Sequence, residues 1–196
     1  PNQIFDQRLC SLSKKLAFLK NRNLVDIVFI SGFNKQLANL SAQDFVQKIL
    51  VEKLKIKHLI IGYDFIFGKD RLGDANLLQK LAGVYNFSFH QIAAKSNVGN
   101  QVYSSTKVRN LIKSGDIKSA NQMLGRNYQV SGIVIKGKEL ARTLGFPTAN
   151  FLPKIDLIKP KFGVYKAKVL LDNQEYKAIL NFGIKPTFSG NWPLFE

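Results

Sequence analysis

The hydrophobic pattern of this chain changes its period once, near residues 125–128, and that change constrains the fold more than any other feature. Before it, helical spacing alternates with short apolar runs. Leu12, Leu16 and Leu19 share one face of a helix in CSLSKKLAFLKNRN. A short buried strand is predicted in VDIVFIS. A helix follows in SAQDFVQKILVEKL, capped by Ser41, with Asp44 three residues on as an approximate capping box. KHLIIG reads as a second buried strand, DANLLQKLAGVY as a helix and FSFHQIAA as a third strand. Strands alternating with helices predict a parallel sheet covered on both faces. Two short helices come next, SSTKVRNLIKSG and DIKSANQMLG, each closed by a glycine, the second capped by Asp116.

Beyond Arg126 only strand patterns remain: YQVSGIVIKG, GVYKAKVLLD and EYKAILNFG, with a hairpin-like turn in LDNQE. They predict an antiparallel barrel or sandwich. The chain is therefore expected to divide into an α/β domain over 1–125 and an antiparallel β-barrel domain over 126–196, within the range of two small domains. It opens at Pro1 without Met and stops at Glu196 directly after an apolar run, so it reads as an internal piece of a longer protein.

Composition excludes several classes. No run approaches the ~18 apolar residues of a membrane span, and no signal-peptide pattern opens the chain. A single cysteine, Cys10, leaves no internal disulfide framework and no cysteine-based zinc site, so a reducing cytoplasm is the default compartment. The formal net charge of +16 invites a nucleic-acid reading. Most of that charge is lysine, however, interleaved with apolar residues in stretches such as KKLAFLK and VEKLKIKH, as on the solvated faces of amphipathic elements. A positive field that attracts small polyphosphates fits this pattern better than a nucleic-acid surface.

Four stretches could carry chemistry. IIGYDFIFGKDRLGD leaves a strand and enters a glycine-punctuated loop, where open α/β sheets bind ligands. Gly62, Gly68 and Gly73 permit close backbone approach, and Phe65 and Phe67 could wall a planar ring; the alternative is a loop packed by its own aromatics. SSTKVR places Ser104, Ser105 and Thr106 at a helix N-terminus, where free N–H groups and the macrodipole favour phosphate, with Lys107 and Arg109 adding charge. Plain capping is the competing reading. KGKELARTLGFPTAN offers Gly137 and Gly145 around Arg142, then Thr148 and Asn150, whose neutral oxygens suit Mg²⁺ bound with a nucleotide. NFGIKPTFSGNWPLFE ends in Glu196, a candidate general base. Two Gly/Pro-constrained loops in one β domain suggest the rims of a single cleft. There is no GxxxxGK[ST], no GxGxxG and no histidine pair at catalytic spacing; His58 and His90 each lie inside a strand pattern.

Taken together and in order, GYDFIFGKDRLGD, SSTKVRNLIKSGDIKSANQMLGRNY, GKELARTLGFPTANF and NFGIKPTF with the later Glu resemble the bacterial bifunctional riboflavin kinase/FMN adenylyltransferase (FAD synthetase) family. The resemblance implies a nucleotidyltransferase-type α/β domain that joins FMN to AMP and a riboflavin kinase-like barrel that phosphorylates riboflavin from MgATP. It implies Thr148 and Asn150 as ligands of Mg²⁺ and the ATP phosphates, and Glu196 as the base toward the ribityl 5′-hydroxyl. It places Gly137, Arg142 and Gly145 in the same ATP loop. Ser104, Ser105, Thr106 and Arg109 become the phosphate-binding motif of the first domain, and Gly62, Asp64, Phe65 and Phe67 the lining of its flavin and nucleotide cleft. Ala141 stands where the family usually has Gly. The family's HxGH-type loop would lie before Pro1 and its last barrel strand after Glu196, so these residues alone are expected to make no FAD and little FMN. Small-molecule flavins and ATP are then the partners, with no nucleic acid and no membrane. A basic nucleic-acid-binding module on a similar scaffold is the alternative, distinguished by a steep salt dependence of binding.

Overall fold

The structure is a computed structural model that describes residues 8–96, 102–135, 148–153, 157–172, 174–184 and 193–196. Contacts divide the chain into two compact units, Ile27–Tyr103 and Pro1–Asp26 with Ser104–Glu196.

Ahead of the first unit's boundary runs helix α1 (Leu12–Asn21), whose N-cap Ser11 accepts from the Lys14 N–H. The unit Ile27–Tyr103 begins with an extended stretch and the short helix α2 (Lys35–Ala38), capped by Asn34. Helix α3 (Ala42–Asp44) then runs directly into a π-helix, Phe45–Lys53. The expected capping box is present in altered form. Ser41 accepts from the Asp44 N–H at 3.0 Å, and its hydroxyl donates to the Asp44 carboxylate at 2.6 Å instead of the carboxylate reaching back to the backbone. Asp44 also pairs with Lys48 at 2.7 Å, and that contact, then the Ser41 hydroxyl, hold its carboxyl below the usual value. The π segment replaces the α-helix that the apolar spacing predicts. Its last turn closes with the Leu54 N–H donating to the Ile49 carbonyl, five residues back.

Strand β1 (His58–Gly62) pairs in parallel with β2 (Ser88–Ile92), and helix α4 (Ala75–Tyr85) lies between them in sequence, as a crossover requires. Asp74 caps α4 by accepting from the Leu77 N–H at 2.8 Å, and Asn86 ends it in the left-handed region. Val46, Ile61, Phe67, Leu78, Leu81, Ala82 and Phe87 form the core of this unit. Two expectations are corrected. The strands are covered on one face only: Leu59 and Ile61 join the core, while Ile60 is 63 % exposed, because both packed helices sit on the same side among the described residues. VDIVFIS forms no strand, and Ile27, Phe29 and Ile30 are exposed. A strand is completed by its ladder partner, and none pairs with this run among the described residues.

The other unit contains helices α5 (Ser105–Ser114) and α6 (Ile117–Leu124), each ending on a left-handed glycine, Gly115 and Gly125. Val108, Ile112, Ala120 and Ile158 form their shared core, so the helix pair groups with the strands that follow it. Burial pushes the Tyr128 phenol well above its usual range, and its hydroxyl donates to the Ile158 carbonyl. The strands are β3 (Gly132–Ile135), β4 (Asn150–Pro153), β5 (Gly163–Leu171), β6 (Gln174–Ile184) and β7 (Pro193–Phe195). Every pairing is antiparallel, in the order β3-β4-β7-β6-β5. Among the described residues the sheet is open, with β3 and β5 at its edges. The expected hairpin joins β5 to β6: Leu171 faces Gln174, and Asp172 takes a left-handed φ of 48°. β4 and β7 were not legible as separate strands.

Two glycines of the first unit should answer oppositely to alanine. Gly68 has φ +75°, and a Cβ there would lie 2.6 Å from Ala42 Cα; Gly83, inside α4, has nothing within 4 Å. Gly68→Ala should destabilise by more than about 1 kcal/mol. Gly83→Ala should stabilise by about 1 kcal/mol through helix propensity. Denaturant titration of the two variants checks both signs.

Candidate functional site

In the second unit the β4–β7–β6 pairing brings a polar group and a cluster of aromatic rings to the same end of the sheet, on neighbouring residues whose side chains alternate between its two faces. Phe151 of β4 faces Phe195 of β7, which in turn faces Phe182 of β6. Phe195 stacks on Phe182 with centroids 4.3 Å apart and meets Phe151 edge-on at 5.8 Å. Phe162 adds a fourth ring against Phe182 at 5.1 Å. Phe182 and Phe195 are almost fully buried.

Directly after Phe195, the Glu196 backbone continues the ladder. Its N–H donates to the Asn181 carbonyl at 2.9 Å, and its carbonyl accepts from the Asn181 N–H at 2.7 Å. Directly before Phe151 comes Asn150, the one buried polar residue among the described residues, 6 % exposed. Carried one residue on, the antiparallel register sets Asn150 level with Glu196. Two residues earlier, the Thr148 hydroxyl donates to Glu196 Oε1 at 2.8 Å. Three residues proposed from sequence, separated by 48 positions at the extremes, thus meet at one end of one sheet. Gly137, Arg142 and Gly145 lie outside the described residues.

The remaining candidates occupy two other places. Ser104 is the N-cap of α5, and its hydroxyl accepts from the Thr106 N–H at 3.2 Å. This hydroxyl serves the helix, as the capping alternative holds, while Ser105 and Thr106 are exposed in the first turn and Arg109 is half-buried. No acidic residue occupies that turn. In the Ile27–Tyr103 unit, Gly62 ends β1 and Asp64 is exposed in the loop after it. Phe65 stacks on Phe67 at 5.5 Å, and Phe67 is buried against Phe45 at 5.7 Å. Phe67 is therefore core, and Phe65 is the ring that meets solvent. Paired hydrogen bonds between Phe67 and Gly73, at 3.0 and 2.9 Å, close the loop, and the Lys69 N–H ties it to the Leu40 carbonyl at 2.7 Å. Both histidines lie in strands, His58 in β1 and His90 in β2, and His58 Nδ1 bonds the Ser88 hydroxyl across the pair.

Sequence reasoning missed the aromatic cluster and Asn181. The Phe that closes PTANF and the one in PLFE carry the signal for the cluster, but only the register joins them. Nothing local marks Asn181.

Comparisons with known proteins find two family matches along the chain. A model described as FAD synthetase matches residues 1–107, and one described as riboflavin kinase matches 124–196. Among curated relatives, a bifunctional riboflavin kinase/FMN adenylyltransferase of Pseudomonas fluorescens is 41 % identical over 167 residues, 85 % of this chain and 53 % of the relative. Proteins so described from Escherichia coli (strain K12) and Haemophilus influenzae are 38 % and 35 % identical. They cover 93 % and 96 % of this chain, and 58 % and 61 % of their own. The chain thus spans little more than half the length of these relatives. A crystal structure described as a macrolide-efflux protein from Streptococcus pneumoniae superposes with a TM-score of 0.85 at 27 % identity, over the whole of this chain and 62 % of that one. Among the described residues no helix here is long and apolar enough to cross a membrane.

The helix pair that carries the SSTKVR segment should depend on pH through its cap. The Asp116 carboxylate accepts from the Ser119 N–H at 3.0 Å, which holds its folded pKa below the ordinary 3.8. A depressed folded pKa contributes stability in full above the unfolded value and loses it as pH falls through the folded one. Amide exchange in α6 should therefore quicken below about pH 4, and Asp116→Asn, which keeps an acceptor, should flatten that dependence.

Proposed function

Because the chain belongs to the FAD synthetase family and carries a riboflavin kinase match beyond that segment, we propose that the protein phosphorylates riboflavin to FMN and adenylylates FMN to FAD. The observation that carries the kinase half is the meeting of Thr148, Asn150 and Glu196 at one end of the β4–β7–β6 sheet, beside the Phe151–Phe195–Phe182 ring cluster that fixes its register. The functional division falls near 125/126, with adenylyl transfer assigned to 1–125 and phosphorylation to 126–196.

In the kinase reaction the ribityl 5′-oxygen forms a bond to the γ-phosphorus of ATP, the bond to the bridging β-oxygen breaks, and ADP leaves. Glu196 accepts the hydroxyl proton as general base. Its backbone is held for this by the paired bonds to Asn181, and its carboxylate by the Thr148 hydroxyl. Thr148 and Asn150 offer neutral hard oxygens from one short segment, and no group of three His, Cys, Asp or Glu side chains suited to a metal occurs among the described residues. That donor set fits Mg²⁺, which takes one or two protein oxygens and completes its shell from phosphates and water. When bound, the ion neutralises charge on the transferring phosphate. Gly137, Arg142 and Gly145 belong to the same ATP-binding loop.

For adenylyl transfer the FMN phosphate attacks the α-phosphorus of ATP and pyrophosphate departs. The N-terminus of α5 supplies N–H groups and a positive dipole end toward phosphate, Ser105 and Thr106 add hydroxyls, Ser104 caps the turn, and Arg109 adds charge. Gly62, Asp64 and Phe65, with Phe67 beneath, line the flavin and nucleotide cleft. Flavins and ATP are the partners, with neither nucleic acid nor membrane, and the single cysteine fits a reducing cytoplasm.

Two variants of the full-length protein separate the activities. Asn150→Ala should lower FMN formation on the order of a hundredfold while FAD formation from supplied FMN persists. Arg109→Ala should do the reverse. Chromatographic separation of the flavins reads both, and an Asn150→Ala enzyme with normal FMN output would remove Asn150 from the kinase site.

A further inference from the structure

The hydrogen bond between Thr148 and Glu196 implies more than proximity. A threonine hydroxyl has one proton and two lone pairs, and left to itself it rotates among several partners. Here the proton is committed to the Glu196 carboxylate at 2.8 Å, a charge-assisted bond. With the proton placed, the lone pairs of Oγ1 are directed elsewhere, and the oxygen becomes an acceptor of fixed orientation. Glu196 can impose that orientation because its own backbone is fixed by the paired bonds to Asn181 and by Phe195, which is buried between two rings.

We propose that Glu196, besides serving as the base, is a positioning residue for the nucleotide–metal site: through the Thr148 hydroxyl it sets the acceptor that receives the MgATP complex. This rests on the kinase reading above and extends it. The base and the nucleotide site are then thermodynamically coupled, so loss of the Glu196 acceptor weakens MgATP binding before any chemistry occurs. The effect is carried by the hydrogen bond and not by the charge of the carboxylate. Glutamine at 196 keeps an oxygen that accepts from Thr148 and removes the charge; alanine removes both.

The test is equilibrium binding of MgATP without riboflavin, by calorimetry, in the full-length protein carrying Arg109→Ala so that the kinase site dominates the signal. Glu196→Ala should weaken binding roughly fivefold to tenfold, the scale of one ordinary hydrogen bond, and Glu196→Gln should restore it to within about twofold. Thr148→Val removes the donor. In that background Glu196→Ala should have no further effect, which is the non-additivity expected of a coupled pair. Wild-type affinity in Glu196→Ala overturns the coupling, as does additivity with Thr148→Val. Equal weakening by Gln and Ala shows that charge acts instead, and overturns it too. If Asn150→Ala also binds MgATP like the parent, the kinase assignment itself falls; if Asn150→Ala is impaired while Glu196→Ala is not, only the coupling does.

Discussion

The second unit depends on the packing of Phe195. Its ring lies between Phe182 and Phe151, and through it three strands are held in one register. Burying a phenylalanine is worth roughly 1.5–3 kcal/mol and an aromatic pair about 1 kcal/mol beyond that, whereas a single hydrogen bond nets about 1 kcal/mol. The rings therefore decide the register, and the polar group accepts the positions that result. A slip of one residue would turn Phe195 outward and carry the Glu196 side chain to the opposite face, away from Thr148. The geometry of the candidate site in this unit is in that sense a by-product of aromatic packing.

What could be read from the sequence was what is local. Ser41 and Asp116 cap helices because each offers an oxygen to an N–H three residues ahead, and Gly115 and Gly125 end helices because a left-handed turn suits glycine. These interactions close within one turn, and the segment that shows them contains both partners. β4 and β7 are four and three residues long and carry no period of their own. They exist as strands through pairing with residues far along the chain. VDIVFIS fails for the converse reason: its residues suit a strand, and no partner is described for it. The π-helix was invisible because the spacing of apolar residues over nine positions does not separate a hydrogen bond to the fourth residue from one to the fifth.

The candidate site divides along the same line. The residue types in LGFPTAN and at Glu196 suggested phosphate and proton chemistry by themselves, and resemblance to a known family gave them roles. Their convergence on one end of a sheet required the β4–β7 register. In the loop after β1 the sequence does not separate two similar rings: Phe65 and Phe67 are two residues apart, yet Phe65 faces solvent while Phe67 belongs to the core, where paired bonds to Gly73 close the loop.

The same loop bears on how such sequences can drift. Gly68 and Gly73 leave the space that Ala42 fills: a Cβ at Gly68 would come 2.6 Å from the Ala42 Cα, and one at Gly73 would come 2.8 Å from the Ala42 Cβ. The volume available to these three positions is shared and already spent. A larger residue at 42 cannot be absorbed by shrinking either neighbour, since glycine has nothing left to lose. Divergence here must proceed by moving the backbone of the loop away from the helix, which also displaces Phe67 and the exposed Phe65 stacked on it. Substitutions at a helix start that touches no ligand are thereby transmitted to the rim of the proposed flavin cleft, so that inherited differences in ligand preference can originate at position 42.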